Sequence, residues 1–214
     1  MAKLFNDDVR TQITEILAQT KNPIQLVLFT KEGVCPTCQE TQQLLEEVCE
    51  TNEKLTLSVK SIETDKALAD TYGVTMTPSF VILDSKGVYK GVKFNGIPAG
   101  HEINSLISAL LEMSGLTIHY QEQVLNRINS IEKPINIKVF VTLSCPHCAG
   151  AVQNAHRLAM LNPNIEAEMI EAQTFQELST KHNVSGVPKI VINDQHELVG
   201  NQPIEAFLEK IERI

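Results

Sequence analysis

Four cysteines stand in two like frames, Cys35-Pro36-Thr37-Cys38 and Cys145-Pro146-His147-Cys148, 110 residues apart. Pro78 follows Cys35 by 43 residues, and Pro188 follows Cys145 by the same 43. One CxxC alone is a weak signal. Chance does not preserve three positions at one offset, so a single redox-competent unit occurs twice and each copy keeps its dithiol. The chemistry open to such a pair is thiol–disulfide exchange, in which the thiolate rather than the thiol is the nucleophile. The leading cysteines, Cys35 and Cys145, are expected at a strand-to-helix transition. There, unpaired N–H groups and the helix dipole stabilise an anion. Pro36 and Pro146 suit a first helical turn, because no partner is lost with the missing N–H. Cys38 and Cys148 fall about one turn later on the same face. They are expected to be shielded and to resolve mixed disulfides formed by the leading sulfurs.

The middle residues tune each site. His147 can add positive charge and a hydrogen bond to the Cys145 thiolate, whereas Thr37 brings no charge. The Cys145/Cys148 pair is therefore expected to be the more oxidising by tens of millivolts, where about 30 mV corresponds to about 1.4 kcal/mol for a two-electron couple. Pro78 and Pro188 are expected to be cis. The backbone of Thr77 and Val187 would then turn toward the dithiols and pair with an extended substrate segment. Two other chemistries use the same side chains: a four-thiolate zinc site and a cluster bridged between subunits. The start of a long helix in separate α/β units argues against the zinc reading.

The elements that must position these residues repeat as well. Each half reads α-β-α-β-α-β-β-α. In the first half, helices are expected at 7–19 (capped by Asn6), 36–50, 65–72 and 101–113. Strands are expected at 24–29, 55–62, 78–83 and 88–94. The second half reads as helices at 117–131, 146–161 and 174–182 and a last one opened by Pro203, with strands at 135–141, 165–170, 189–192 and 197–199. Two units follow, 1–115 and 116–214, with Ser114-Gly115 the one soft spot between them and the halves packed together. The fold class is α/β.

Composition narrows the function. A net charge of -8 disfavours nucleic-acid binding. No segment has the length of a membrane span, and Met1–Asp8 holds no apolar core of signal-peptide length. A cytoplasmic setting is expected, where CxxC points to catalysis or metal rather than a structural staple. Cys49 is expected to be a small buried hydrophobe. Glu46-Glu47 is expected on a solvated helix face. His101, His119, His156, His182 and His196 are expected to be surface or structural.

The motifs together resemble the protein disulfide oxidoreductase family, built from two tandem thioredoxin/glutaredoxin-like units. They comprise Cys35-Pro36-Thr37-Cys38 with Thr77-Pro78, the run Asn95-Gly96-Ile97-Pro98-Ala99-Gly100-His101-Glu102, and Cys145-Pro146-His147-Cys148 with Val187-Pro188. The second half is also similar to the N-terminal double-thioredoxin domain of the flavoprotein that reduces alkyl hydroperoxide peroxiredoxin. The resemblance spans essentially the whole chain. It implies two tandem thioredoxin-like folds, each a central mixed sheet flanked by helices. It also implies exchange with protein disulfide and dithiol substrates, with electrons from a thioredoxin reductase-like flavoenzyme or passed directly between protein partners. The chemistry itself requires no tightly bound cofactor, and no metal is expected. A dedicated relay to a peroxiredoxin and a redox-inert binding or metal-binding module are the rival readings. The chain departs from the thioredoxin pattern where Val34 and Ser144 replace the Trp before the leading cysteine. It departs again where Phe29 replaces the buried acid six residues before Cys35. The sequence thus leaves the proton acceptor for the trailing cysteines unassigned.

Overall fold

The computed structural model describes residues 3–214. Met1 and Ala2, which begin the expected 1–115 unit and the N-terminal reading, lie outside the described residues. The first half contains α1 (Asp7–Leu17), β1 (Ile24–Thr30), α2 (Cys38–Cys49), β2 (Leu55–Ser61), α3 (Lys66–Thr71), β3 (Ser79–Leu83), β4 (Tyr89–Asn95) and α4 (Ile103–Met113), with a 3-10 turn at Gly100–Glu102. The second contains α5 (Glu122–Asn129), β5 (Ile135–Val141), α6 (Cys148–Leu161), β6 (Ile165–Glu171), α7 (Gln176–Lys181), β7 (Lys189–Ile192), β8 (His196–Val199) and α8 (Ile204–Ile211). The expected alternation is present in both halves. Asn6 caps α1, its side-chain oxygen accepting from Val9 N–H at 2.9 Å.

The eight strands form one sheet in the order β2-β1-β3-β4-β6-β5-β7-β8. Within each half the first strand pairs parallel with the second and antiparallel with the third, and a hairpin follows. The halves join where β4 pairs parallel with β6, Val92 opposite Ala167 through Asn95 opposite Ile170. The second half thus repeats the first by displacement along the sheet rather than by a two-fold. One face carries a continuous apolar core running from Ile13 and Leu17 to Phe207 and Ile211, through Phe80, Phe94, Leu110, Val139 and Ala155. Two small clusters, Val27, Phe29, Val81 and Phe140, Ile170, Val191, lie on the other face under α3 and α7.

Polar chemistry closes the junction. Lys93 is 2% exposed. Its ammonium meets Glu166 at 2.6 Å and donates to the Gly73 carbonyl at 2.9 Å. Tyr89 donates to the same Glu166, and Asn95 bridges Ser79 to Glu168. The buried His156 packs tilted against Phe94, with centroids 4.7 Å apart and ring planes at 59°, and faces the Lys93 carbonyl. Burial pushes its pKa down to about 4, opposed by that carbonyl. Gly91 (φ +74°) sits where a Cβ would run into the Ile165 carbonyl, so the junction requires glycine there.

Several sequence expectations change. The helix expected over 117–131 forms only over Glu122–Asn129, because Gln121 is extended and caps it. Ser114-Gly115 is pinned rather than soft. Ser114 is buried, and its oxygens accept from Lys21 N–H, Asn22 N–H and the Asn22 side chain. Glu47 is not on a solvated face. It is 6% exposed, and its carboxylate accepts from the Leu4 and Phe5 N–H groups at 2.8 and 3.0 Å, tying the N-terminal segment to α2. Burial opposes ionisation of Glu47, but those backbone donors, Gln43 and Arg10 outweigh it and hold the carboxyl below its usual value. Cys49 is half-buried against the core, and burial, reinforced by Glu46, pushes its thiol up to about 12.

Candidate active site

Each dithiol lies just past the C-terminal end of the central strand of its half, β1 or β5, at the head of the long helix, α2 or α6. The regular helices begin at Cys38 and Cys148, about two residues later than expected, with Thr37 and His147 as their caps. Cys35-Pro36-Thr37 and Cys145-Pro146-His147 form a turn ahead of each helix. The trailing cysteine's N–H reaches back to the leading cysteine's carbonyl, at 3.3 Å in the first site and 3.4 Å in the second. Proline in the second position of such a turn fixes the backbone without costing a donor.

Both pairs are disulfides in this structure, with Cα atoms 5.4 Å apart at Cys35–Cys38 and 5.6 Å at Cys145–Cys148. The leading cysteines are half-exposed, while Cys38 is 7% and Cys148 0% exposed. One sulfur of each pair therefore meets solvent and its partner is covered. Pro36, Pro146 and His147 are exposed, and Thr37 is half-buried. The Thr37 hydroxyl has no hydrogen-bond partner among the described residues, and its carbonyl takes Thr41.

Thr77-Pro78 and Val187-Pro188 are the two cis peptide bonds among the described residues. Each proline is buried immediately before β3 or β7, with Thr77 and Val187 half-exposed in front of it. The Val187 carbonyl lies 3.8 Å from Cys145 Sγ, where it can accept from the thiol of the reduced form. The register gathers these parts at one end of the sheet: Phe29 lies opposite Ser79, Ser79 opposite Asn95, and Asn95 opposite Ile170.

Glu102 is a residue to which sequence reasoning assigns no role. It is 0% exposed, accepts from Ser105 Oγ at 2.6 Å through one oxygen, and has no partner for the other among the described residues. Burial raises its pKa to about 7, partly offset by Ser105. The turn that carries it is fastened to the approach of the second dithiol. His101 N–H donates to the Leu143 carbonyl at 3.0 Å, and Gly100 (φ +59°) leaves no room for a Cβ against that carbonyl. This turn also packs on α6, whose first residue is Cys148. The signal in the sequence is an acid in an otherwise apolar and glycine-rich run. Part of its cover is α6 of the other half, which no local pattern reports.

Among the described residues no group of three or more His, Cys, Asp or Glu side chains comes together as a metal site. No helix among them is long and apolar enough to cross a membrane.

A thioredoxin-domain family model matches residues 24–108 and 135–213. The chain is 29% identical over 208 residues to the F component of alkyl hydroperoxide reductase (AhpF) of Staphylococcus epidermidis and of Staphylococcus aureus. The match covers 97% of this chain and 38% of those proteins, so the chain spans well under half the length of these curated relatives. Among solved structures, a variant of AhpF from Enterococcus faecalis superimposes with a TM-score of 0.92 at 30% identity, covering 98% of this chain and 100% of that one. A protein disulfide oxidoreductase from Aeropyrum pernix superimposes with a TM-score of 0.89 at 28% identity, covering 97% and 92%.

Proposed function

The chain belongs to the thioredoxin-domain family, and on that footing we propose that it is a protein disulfide oxidoreductase working through two dithiols. The observation that carries the reading is the split of each pair into one solvent-facing and one covered sulfur at a helix head. In the reductive direction, the Cys35 or Cys145 thiolate attacks a substrate disulfide. One enzyme–substrate S–S bond forms, and the other substrate sulfur leaves as a thiolate and takes a proton. The Cys38 or Cys148 thiolate then attacks the leading sulfur, closing the enzyme disulfide and releasing the substrate as a dithiol. Two electrons from an external dithiol restore the enzyme, and the same steps run backwards oxidise a substrate.

His147 tunes Cys145 and Thr37 leaves Cys35 without added charge. Thr77-Pro78 and Val187-Pro188 face the substrate. Glu102 is the proton acceptor for Cys148, supported by its burial, its free oxygen and a pKa near neutrality. The sulfurs carry the electrons, so no bound cofactor is needed. A thioredoxin reductase-like flavoenzyme supplies the reducing equivalents and the setting is the cytoplasm, where the dithiols are kept reducible.

A second reading, a relay that reduces one peroxiredoxin, is supported by the likeness to AhpF over nearly the whole chain. Turnover decides between them. A general oxidoreductase reduces insulin and captures many proteins as mixed disulfides in its Cys38→Ser and Cys148→Ser variants. A relay reduces a peroxiredoxin fast and insulin poorly, and captures one partner. If neither variant forms any mixed disulfide, the exchange reading is lost.

A further inference from the structure

We propose that the second half of the chain builds one wall of the substrate cleft at the first dithiol, so that Cys35 takes a disulfide carried on an extended polypeptide segment while Cys145 remains open on the corresponding flank. The proposal rests on the exchange chemistry above and adds which site takes which substrate. A cleft of about 710 Å³ opens at Pro36, the residue that follows Cys35. Pro36 and Met76 of the first half line one side. Gln173, Phe175, Gln176, Glu177, Leu178 and Lys181 of the second half line the other.

The sheet order makes this unavoidable. Because β6 lies against β4, the segment that leaves β6 emerges at the end of the sheet where β3 begins and the first dithiol sits. The matching position beside the second dithiol lies beyond β8, which has no further strand neighbour among the described residues. Val199 on that edge is 65% exposed.

The wall is held in place. Glu171, 3% exposed, accepts from Gln173 N–H at 3.1 Å and from both the N–H and hydroxyl of Thr174 at 2.6 Å. Phe175 and Leu178 pack on Phe140, Ile170 and Val191. Lys189 Nζ donates to the His182 carbonyl at 2.7 Å and fixes the far end of α7. A rigid slot with Met76, Phe175 and Leu178 along it and Lys181 at its border fits an apolar chain segment lying in line with the sulfur. Val34, immediately before Cys35, is 82% exposed and offers a further apolar contact to such a segment.

The test isolates each sulfur in the full-length chain. One background keeps Cys35 alone (Cys38→Ser, Cys145→Ser, Cys148→Ser), and the other keeps Cys145 alone. Each is reacted with a linear peptide whose cysteine carries a thionitrobenzoate group, and with cysteamine carrying the same group. Thionitrobenzoate release reports the exchange. Gln176→Trp and, separately, Gln173→Trp project bulk from exposed positions of the wall. The expected result is peptide exchange at Cys35 slowed about tenfold, as for the loss of about 1.4 kcal/mol of docking. Cysteamine exchange at Cys35 and both reactions at Cys145 stay unchanged, the latter also showing that the fold is intact. Unchanged peptide exchange at Cys35, equal slowing of both probes, or equal slowing at Cys145 overturns the proposal. If Cys35 reacts with neither probe in the unsubstituted background, the exchange reading itself fails and takes this proposal with it.

Discussion

At the scale of single residues, the proton acceptor proposed for Cys148 is Glu102, whose carboxyl pKa is held near neutrality by burial. In that role it would take the Cys148 proton above a pH of about 7, and it is itself protonated below it. The resolving step at the second site should therefore accelerate as pH rises through about 7. In Glu102→Gln that rise should vanish while the first site is unaffected, as rapid-mixing release of substrate from the Cys145 mixed disulfide will report. The same group leaves a mark on stability. Its folded pKa lies above the unfolded value of 4.5, so its contribution is complete below 4.5 and is lost as pH rises through about 7. Urea midpoints should fall between pH 5 and pH 8 in the parent and fall less in Glu102→Gln. His147 gives the other prediction at this scale. Redox titration should find Cys145/Cys148 more oxidising than Cys35/Cys38 by tens of millivolts, about 30 mV for each 1.4 kcal/mol of added thiolate stabilisation. His147→Thr should close most of the gap, and equal potentials in the parent would refute the tuning role.

At the scale of elements, strands are the more legible because short apolar runs between turn residues leave little freedom, and β1, β5 and β7 stand close to where their runs suggest. The segment 117–121 reads as helix in the sequence and is not one. Its apolar residues Ile118 and Tyr120 are half-buried in a bridging stretch between the halves, and the helical spacing of Val124 and Ile128 holds only after Gln121. The polar seam at β4 and β6 is hidden for a related reason. Nothing in the local pattern around Lys93 shows that Glu166 and Glu168, far along the chain, will face it. Removing that ammonium leaves Glu166 and Glu168 without their counter-charge beside a buried seam, with only the neutral donors Tyr89, Asn95 and Asn136. Lys93→Ala should therefore cost about 3 kcal/mol, at the lower end for breaking a buried pair, measured as the change in chemical unfolding free energy. A loss within about 0.5 kcal/mol, as for an ordinary surface change, would show that the seam is not structural.

At the scale of the whole molecule, the sequence reads as two copies, and its repeat is real. What it does not disclose is that the copies share one sheet and one core, since the pairing of β4 with β6 depends on three-dimensional register rather than on either strand's own pattern. A molecule fused in this way should unfold in one cooperative step. Calorimetry should give a single transition with matching calorimetric and van't Hoff enthalpies, and two resolved transitions would mean that the halves fold apart. The fusion also makes the two dithiols unequal neighbours of the same chain, one walled and one open, while leaving both helix heads free to hold a thiolate. That last property underlies everything else and can be read directly. The reduced full-length chain should be alkylated at neutral pH and each cysteine's rate followed by mass spectrometry across pH. Cys35 and Cys145 should react first, with midpoints below the roughly 8.5 of a free thiol, and Cys38, Cys148 and Cys49 should lag. Midpoints at or above the free-thiol value for both leading cysteines would contradict the account.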